Sequence, residues 1–196
     1  MPTTRRASNR GPAAAGANRR ALLDAARRLF AEHGYEVPLS AVAREAGVGQ
    51  GSLYRHFPGR LDLALAIFED NYAELERLAA DPHAPGAFSQ LWRRIIDQTL
   101  ESRAFVEMVV EARRQLPDVK VVNRLPEILE DPLRVAQAAG LMPPELSVHD
   151  LILAHRMVYG VIVTETDPAL ARSSALRALA MVNPALSWSD DERDTT

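Results

Sequence analysis

The 196-residue sequence predicts an all-α fold: a three-helix head of helix-turn-helix form followed by a larger helical domain. Three observations carry this prediction. Apolar residues recur at spacings of three and four along most of the chain, and no stretch alternates apolar and polar residues as a half-buried strand would. A glycine corner, Ala46-Gly47-Val48, joins two short amphipathic stretches. Charge is divided between the parts: residues 1–62 hold ten Arg against five acidic residues, a balance of +5, whereas residues 63–196 carry −8. A basic module on an acidic body suggests a nucleic-acid partner for the module; chance clustering of solvated charge is the plainer alternative.

Residues 1–17 carry Arg5, Arg6 and Arg10 among Pro, Gly, Ala, Ser and Asn, with little to bury. They read as a disordered basic arm, either a solvated tail or a segment that follows a DNA backbone or enters the minor groove. Asn18 suits an N-cap, and Leu22, Ala25, Ala26, Leu29 and Phe30 then share one helical face up to His33-Gly34. Tyr35 and Val37 are expected to pack beneath that helix, and Pro38 suits the first turn of the next. Leu39, Val42, Ala43 and Ala46 repeat at helical spacing until Gly47, which can adopt positive φ and end the helix.

A short helix over Gly49–Phe57 follows. Val48, Leu53 and Phe57 point inward, while Gln50, Ser52, Tyr54, Arg55 and His56 project outward; all five outward residues can donate hydrogen bonds and none is acidic. Such a helix fits the major groove of B-DNA. Gln50 can donate to and accept from adenine, Ser52 reaches several base edges, and Gly51 lets the backbone come close.

Val42, Ala43, Ala46, Gly47, Val48, Leu53, Tyr54, His56 and Phe57 follow a long pattern of fixed spacing, and over residues 20–63 the chain resembles the tetracycline-repressor (TetR) family. The resemblance implies phosphate contacts from Tyr54 and His56, although the Tyr54 ring could instead pack in the head. Arg60 stands where the family commonly has a Lys. Val37 replaces a usual hydroxyl residue, leaving Ser40 or the helix N-terminus to meet a phosphate. Arg44 and Arg55 are candidate DNA contacts or solvated charges.

The fourth helix, expected over Arg60–Ala80, turns Leu61, Leu65, Phe68, Tyr72, Leu75 and Leu78 inward and stops at the breaker cluster Asp81–Gly86. Belonging to the head at one end and the body at the other, it would act as a lever. Helices over Ala87–Glu101 and Arg103–Leu116 follow. Pro126 and Pro132 are expected to prevent a single straight helix between Val119 and Gly140, and Met142-Pro143-Pro144 marks a loop. Between Ser147 and Thr166 hardly any polar face remains, so that helix must be covered on two sides; Asp167-Pro168 starts another. The resemblance implies that these last two helices pair with a partner's, and Leu151, Val158, Ile162, Leu176, Leu179 and Ala180 are the expected homodimer interface. Residues 188–196 are a polar, acidic tail in which Trp188 packs on the last helix. The expected organisation is therefore 1–17 arm, 18–62 DNA-binding head, 63–187 ligand-binding and dimerisation domain, and 188–196 tail.

Catalysis is not expected. The chain has no Cys, and His33, His56, His83, His149 and His155 lack metal-ligand spacing, so neither a metal nor a cofactor is foreseen. No apolar run reaches the length of a membrane span, and a cytoplasmic location is expected. Phe68, Tyr72, Trp92, Ile96, Phe105, Met108, Met157 and Tyr159 lie on helices that the resemblance places around an effector cavity; ordinary core packing accounts for them as well. Arg93, Arg113, His155 and Arg156 are candidate polar anchors. The expectation is a repressor that binds a palindromic operator in double-stranded DNA as a dimer and is released by a small apolar or amphipathic effector. The alternatives are a helical scaffold, or a regulator answering to a protein partner without an effector.

Overall fold

A computed structural model describes residues 12–101, 103–115 and 124–188. Among them there is no strand, and the helices are α1 (Pro12–His33), α2 (Leu39–Glu45), α3 (Gln50–His56), α4 (Arg60–Ala79), α5 (Ala87–Leu100), α6 (Arg103–Gln115), α7 (Leu125–Ala138), α8 (Val148–Thr164) and α9 (Pro168–Val182), with a 3-10 turn at Pro184–Leu186. The chain divides into two compact units, Met1–Ile67 and Phe68–Thr196. The division falls inside α4, where the sequence reading placed it after residue 62.

In the first unit α1 supplies Leu22, Leu23, Ala25, Ala26 and Phe30 to a closed core that also takes Val42 and Ala43 from α2, Leu53 from α3 and Leu63 and Ile67 from α4. Phe30 meets Tyr35 edge-on at 5.5 Å between centroids, which fixes the loop that follows α1. Contrary to expectation, α1 begins at Pro12 rather than at Asn18, so residues 12–17 do not belong to a disordered arm. Pro12 costs no hydrogen bond at a first helical position, and the Ala13–Ala15 run has the highest helix propensity of any residue type. Arg5, Arg6 and Arg10 lie outside the described residues.

The corner between α2 and α3 is a complete Schellman motif. Gly47 sits at φ 65°, its N–H donates to Arg44 O at 3.1 Å, and the Val48 N–H donates to Ala43 O at 2.9 Å. Gly49, at φ −64° and ψ 143°, is the N-cap of α3.

The second unit is a helical core drawn from α4 to α9. Leu91, Ile95 and Ile96 of α5 pack with Leu129 and Leu133 of α7, Leu151 and Val158 of α8 and Leu179 of α9. The Trp92 indole N–H donates to Leu186 O at 2.9 Å, tying the C-terminal turn to α5. Trp188 stacks beneath the Arg93 guanidinium at 5.1 Å. α8 opens with a capping box between Ser147 and Asp150, whose carboxyl is held below its ordinary pKa by the Ser147 hydroxyl and backbone N–H. α7 corrects another expectation: it is one helix despite its prolines. Pro126 falls in the first turn, where no donor is needed, and Pro132, inside the helix, is buried among Leu129, Leu133 and Ala136. Burial of that apolar face offsets the hydrogen bond lost at Pro132, a loss of about 3 kcal/mol in an exposed helix.

One polar pair interrupts the core. The Thr99 hydroxyl has a single proton and gives it to Ile95 O at 2.9 Å; at 2.8 Å from His155 Nε2 it therefore accepts, which fixes the neutral imidazole with its proton on Nε2. Burial, with Arg113 nearby as the smaller cause, lowers the His155 pKa from 6.5 to about 3.

Gly47→Ala is expected to destabilise the head by about 1–2 kcal/mol because alanine must take the left-handed conformation, whereas Gly51→Ala, in an open position within α3, should not; chemical denaturation of the two variants checks the contrast. His155 gives a pH signature. Its folded pKa lies below its unfolded value, so the folded chain binds fewer protons between about pH 6.5 and pH 3. That stability is fully present above pH 6.5 and is lost as the pH falls, by up to about 1.4 kcal/mol per pH unit. In denaturation between pH 7 and pH 5, His155→Gln should remove this part of the slope.

Candidate nucleic-acid interface and body cavity

The head presents one face of polar side chains. Leu53 and Phe57 anchor α3 inward with 1% and 3% exposure. That anchoring turns Gln50, Gly51, Tyr54 and Arg55 to solvent and leaves Ser52 and His56 half-buried. Tyr54 is 51% exposed, which leaves its hydroxyl edge open to solvent while about half of the residue is covered by the head. On α2, Ser40 and Arg44 are exposed. Pro38 is the N-cap of α2 and makes no side-chain cap bond, while Val37 is buried where the family's hydroxyl would stand.

The basic residues of the head divide by partner. Arg28 spans from α1 to Glu45 of α2 at 3.2 Å. Arg60 is directed into the α1–α2 loop: it donates to Tyr35 O and, at 3.3 Å, to Glu36 O, and its guanidinium lies 5.2 Å from the Tyr35 ring centre. It therefore holds the loop before α2 instead of standing free for a phosphate, because a planar guanidinium satisfies two carbonyls and a ring face at once. Arg44 and Arg55 carry no ion pair among the described residues.

The second unit contains a partly open cavity of ≈ 480 Å³ counted to its mouth, of which only ≈ 30 Å³ can hold the centre of a water molecule. Phe68, Leu75, Ile95, Val109 and Leu125 form its apolar wall. Asn71 and Tyr72 of α4, Gln98 and Thr99 of α5, Arg113 of α6, and His155 and Tyr159 of α8 add polar groups. Tyr159 meets the His155 ring edge-on at 4.7 Å, and burial raises the pKa of both Tyr72 and Tyr159. The phenols and the imidazole are thus neutral at pH 7, and Arg113 carries the one formal charge among the residues that line the cavity.

Of the residues expected around an effector, Phe68, Tyr72 and Tyr159 come together here, as do Arg113 and His155 of the expected anchors. Trp92, Ile96 and Met108 do not line this cavity; they are buried in the core at 2%, 0% and 3% exposure. Met157 faces outward at 44% exposure. The Phe105 side chain lies outside the described residues. Asn71, Gln98, Thr99 and Val109 were missed, since helical spacing marks an inward face without separating a cavity wall from solid core.

The expected dimer residues are also displaced by the fold. Leu151, Val158, Ile162, Leu176 and Leu179 are buried within the protomer's own core, and Ala180 is half-buried. The outward apolar residues are instead Leu153, Met157 and Val163 on α8 and Leu170, Met181 and Val182 on α9. An almost wholly apolar helix gives no sequence signal for which half packs within its own protomer, and the residues singled out from the sequence are the ones this core buries.

Among the described residues no group of three or more His, Asp or Glu is placed to hold a metal ion, and no helix is long and apolar enough to cross a membrane. Residues 22–67 match the family model described as bacterial regulatory proteins, tetR family. The chain is 37% identical over 102 residues to the HTH-type transcriptional regulator AcrR of Shigella flexneri, covering 50% of this chain and 45% of that protein. It is 23% identical over 150 residues to the fatty acid metabolism regulator protein of Bacillus subtilis, covering 72% of this chain and 77% of the relative. It thus spans less than half the length of the first of these relatives and about three quarters of the second. Among solved structures, the TetR transcriptional regulator SCO0520 from Streptomyces coelicolor aligns with a TM-score of 0.62 and 28% identity over 86% of this chain and 98% of that one. The glycine-cornered head and the all-helical body agree with these findings: residues 22–67 match the tetR family of bacterial regulatory proteins, and the fold is similar to that of a TetR transcriptional regulator.

Proposed function

We propose that the protein is a repressor that binds a palindromic operator as a homodimer and is released when a small molecule enters the body cavity. The observation that carries the DNA part is α3 itself. A helix held by two buried apolar anchors turns outward only groups that donate hydrogen bonds, which matches the acceptor-rich edge of the major groove. Gln50 and Ser52 read base edges near the start of α3, with Gly51 allowing close approach. Tyr54, His56, Ser40, Arg44 and Arg55 contact phosphates. Arg60 acts behind them by holding the α1–α2 loop.

The outward apolar stripe of α8 and α9 supports the dimer. Leu153, Met157, Leu170 and Met181 are 50%, 44%, 52% and 81% exposed, and a second copy of the same stripe is the surface that would cover them. Gly160 adds to this. It sits within α8, where glycine costs about 1 kcal/mol relative to alanine, and a Cβ there would meet nothing within 4 Å, so packing inside the protomer does not require it. Close approach of a partner helix would.

The effector reading rests on the cavity, whose free space is too small for anything beyond water in this conformation. Occupation would push its walls apart, and α4 supplies Phe68, Tyr72 and Leu75 to those walls. The same helix begins at Arg60, so a shift in α4 would move the two recognition helices off successive major grooves about 34 Å apart. A regulator that answers to a protein partner would use the same head without filling the cavity.

Two sets of variants test this reading. In fluorescence anisotropy with an operator duplex, Gln50→Ala should narrow the gap between correct and mismatched sites by about 1–3 kcal/mol; Tyr54→Ala should weaken binding to all duplexes alike, and the reverse pattern would refute the assigned roles. Met157→Glu, which places a charge on the stripe, should shift the protein from dimer to monomer in analytical ultracentrifugation and reduce operator affinity by more than about tenfold. A dimer that persists unchanged would exclude this interface.

A further inference from the structure

We propose that the body cavity takes an organic anion, a carboxylate joined to an apolar remainder, and that Arg113 is the group that recognises its charge. The inference rests on the effector reading above and specifies the ligand's chemistry. Its first support is the charge of the wall. Arg113 is the one cation among the lining residues, and no Asp or Glu is among them. Two acidic residues of α4 close to that wall are engaged elsewhere. Glu74 is held by Arg94 at 2.9 and 3.0 Å and receives the Gln98 amide at 3.1 Å, and Glu69 is held by Arg124 at 2.8 Å. Arg113 therefore has no carboxylate partner among the described residues.

The second support is an unmet donor. Arg113 Nε is buried and bonds to nothing. A guanidinium donor withdrawn from water and left without an acceptor is unfavourable, and most native structures avoid it. An incoming carboxylate would accept from Nε and a terminal nitrogen together, the two-oxygen geometry a guanidinium fits best. No other lining group competes for that anion as a cation, since the His155 Nε2 proton is committed to Thr99 and the ring is neutral.

The third support concerns the rest of the ligand. Phe68, Leu75, Ile95, Val109 and Leu125 offer only apolar contact. A polyol would leave its hydroxyls against this wall, and an ammonium would stand beside Arg113 with no counter-charge. A molecule with one anionic end and a hydrocarbon or aromatic body satisfies both parts of the cavity.

The test uses the full chain and six probes built on two skeletons: phenylbutyrate, its primary amide and phenylbutylamine; and decanoate, decanamide and decylamine, each below its micelle-forming concentration. Calorimetric titration and thermal shift at neutral pH compare them. At least one carboxylate is expected to bind the wild type about tenfold or more tightly than the amide of the same skeleton and to raise Tm. Arg113→Gln should bring acid and amide to similar affinity, and Arg113→Lys should keep part of the preference. An amide or amine that binds the wild type as tightly as its acid, or an Arg113→Gln protein that keeps full preference for the acid, overturns the anion assignment while leaving the cavity's ligand role standing. Failure of all six to bind overturns both. The comparison among probes in the wild type decides the question even where Arg113→Gln does not fold.

Discussion

The positive φ of Gly47 is the constraint on which the outward face of α3 depends. A Schellman corner ends α2 within a single residue and releases α3 in a new direction, while two backbone hydrogen bonds satisfy carbonyls that the helix end would otherwise leave open. With the direction of α3 set, Leu53 and Phe57 fix its rotation by being buried, and the rotation decides which residues meet solvent. Seven residues are enough for α3 because most of the stability of so short a helix comes from packing its apolar side rather than from its own hydrogen-bond ladder. The loop before α2 is held with similar economy by Arg60, which satisfies two carbonyls and covers the face of Tyr35.

The body follows a different rule. Its core is closed and apolar except where α4, α5, α6 and α8 bring polar groups against a small cavity. Buried polar groups persist in such a core when they are paired, as Thr99 and His155 Nε2 are with each other, or when something outside the protomer completes them. Arg113 Nε has no partner among the described residues of the protomer, and the anion proposed for the cavity would complete it. On that proposal an occupant would supply the missing acceptor while forcing the walls to move, so binding and conformational change would draw on the same interaction.

Much of this was legible in the sequence. The corner, the inward pair Leu53 and Phe57, the outward donors of α3, and α4, α5, α6 and α8 fall within a residue or two of their expected limits, because each follows from periodicity, a glycine or a cap. The departures share a cause: propensity and pattern are local, and the outcome was decided by packing. Alanines after Pro12 extended α1; core burial carried α7 through Pro132; Arg60 was drawn to backbone carbonyls that no motif encodes. On α8 an unbroken apolar surface hid which side was inward, and the exposed stripe of Leu153 and Met157 emerged only from coordinates. The cavity was legible as a set of helices but not as a list of residues, and Arg113 and His155 stood out among the candidate anchors only once their neighbours were known.

The central claim is that two copies of α3 read one duplex together. Selection of the full chain against a pool of random duplexes tests it most directly. The account predicts enrichment of an inverted repeat whose half-sites are centred about one helical turn apart, or a multiple of it. Recovery of no sequence above the starting pool, or of a single half-site with no symmetric partner, would contradict it.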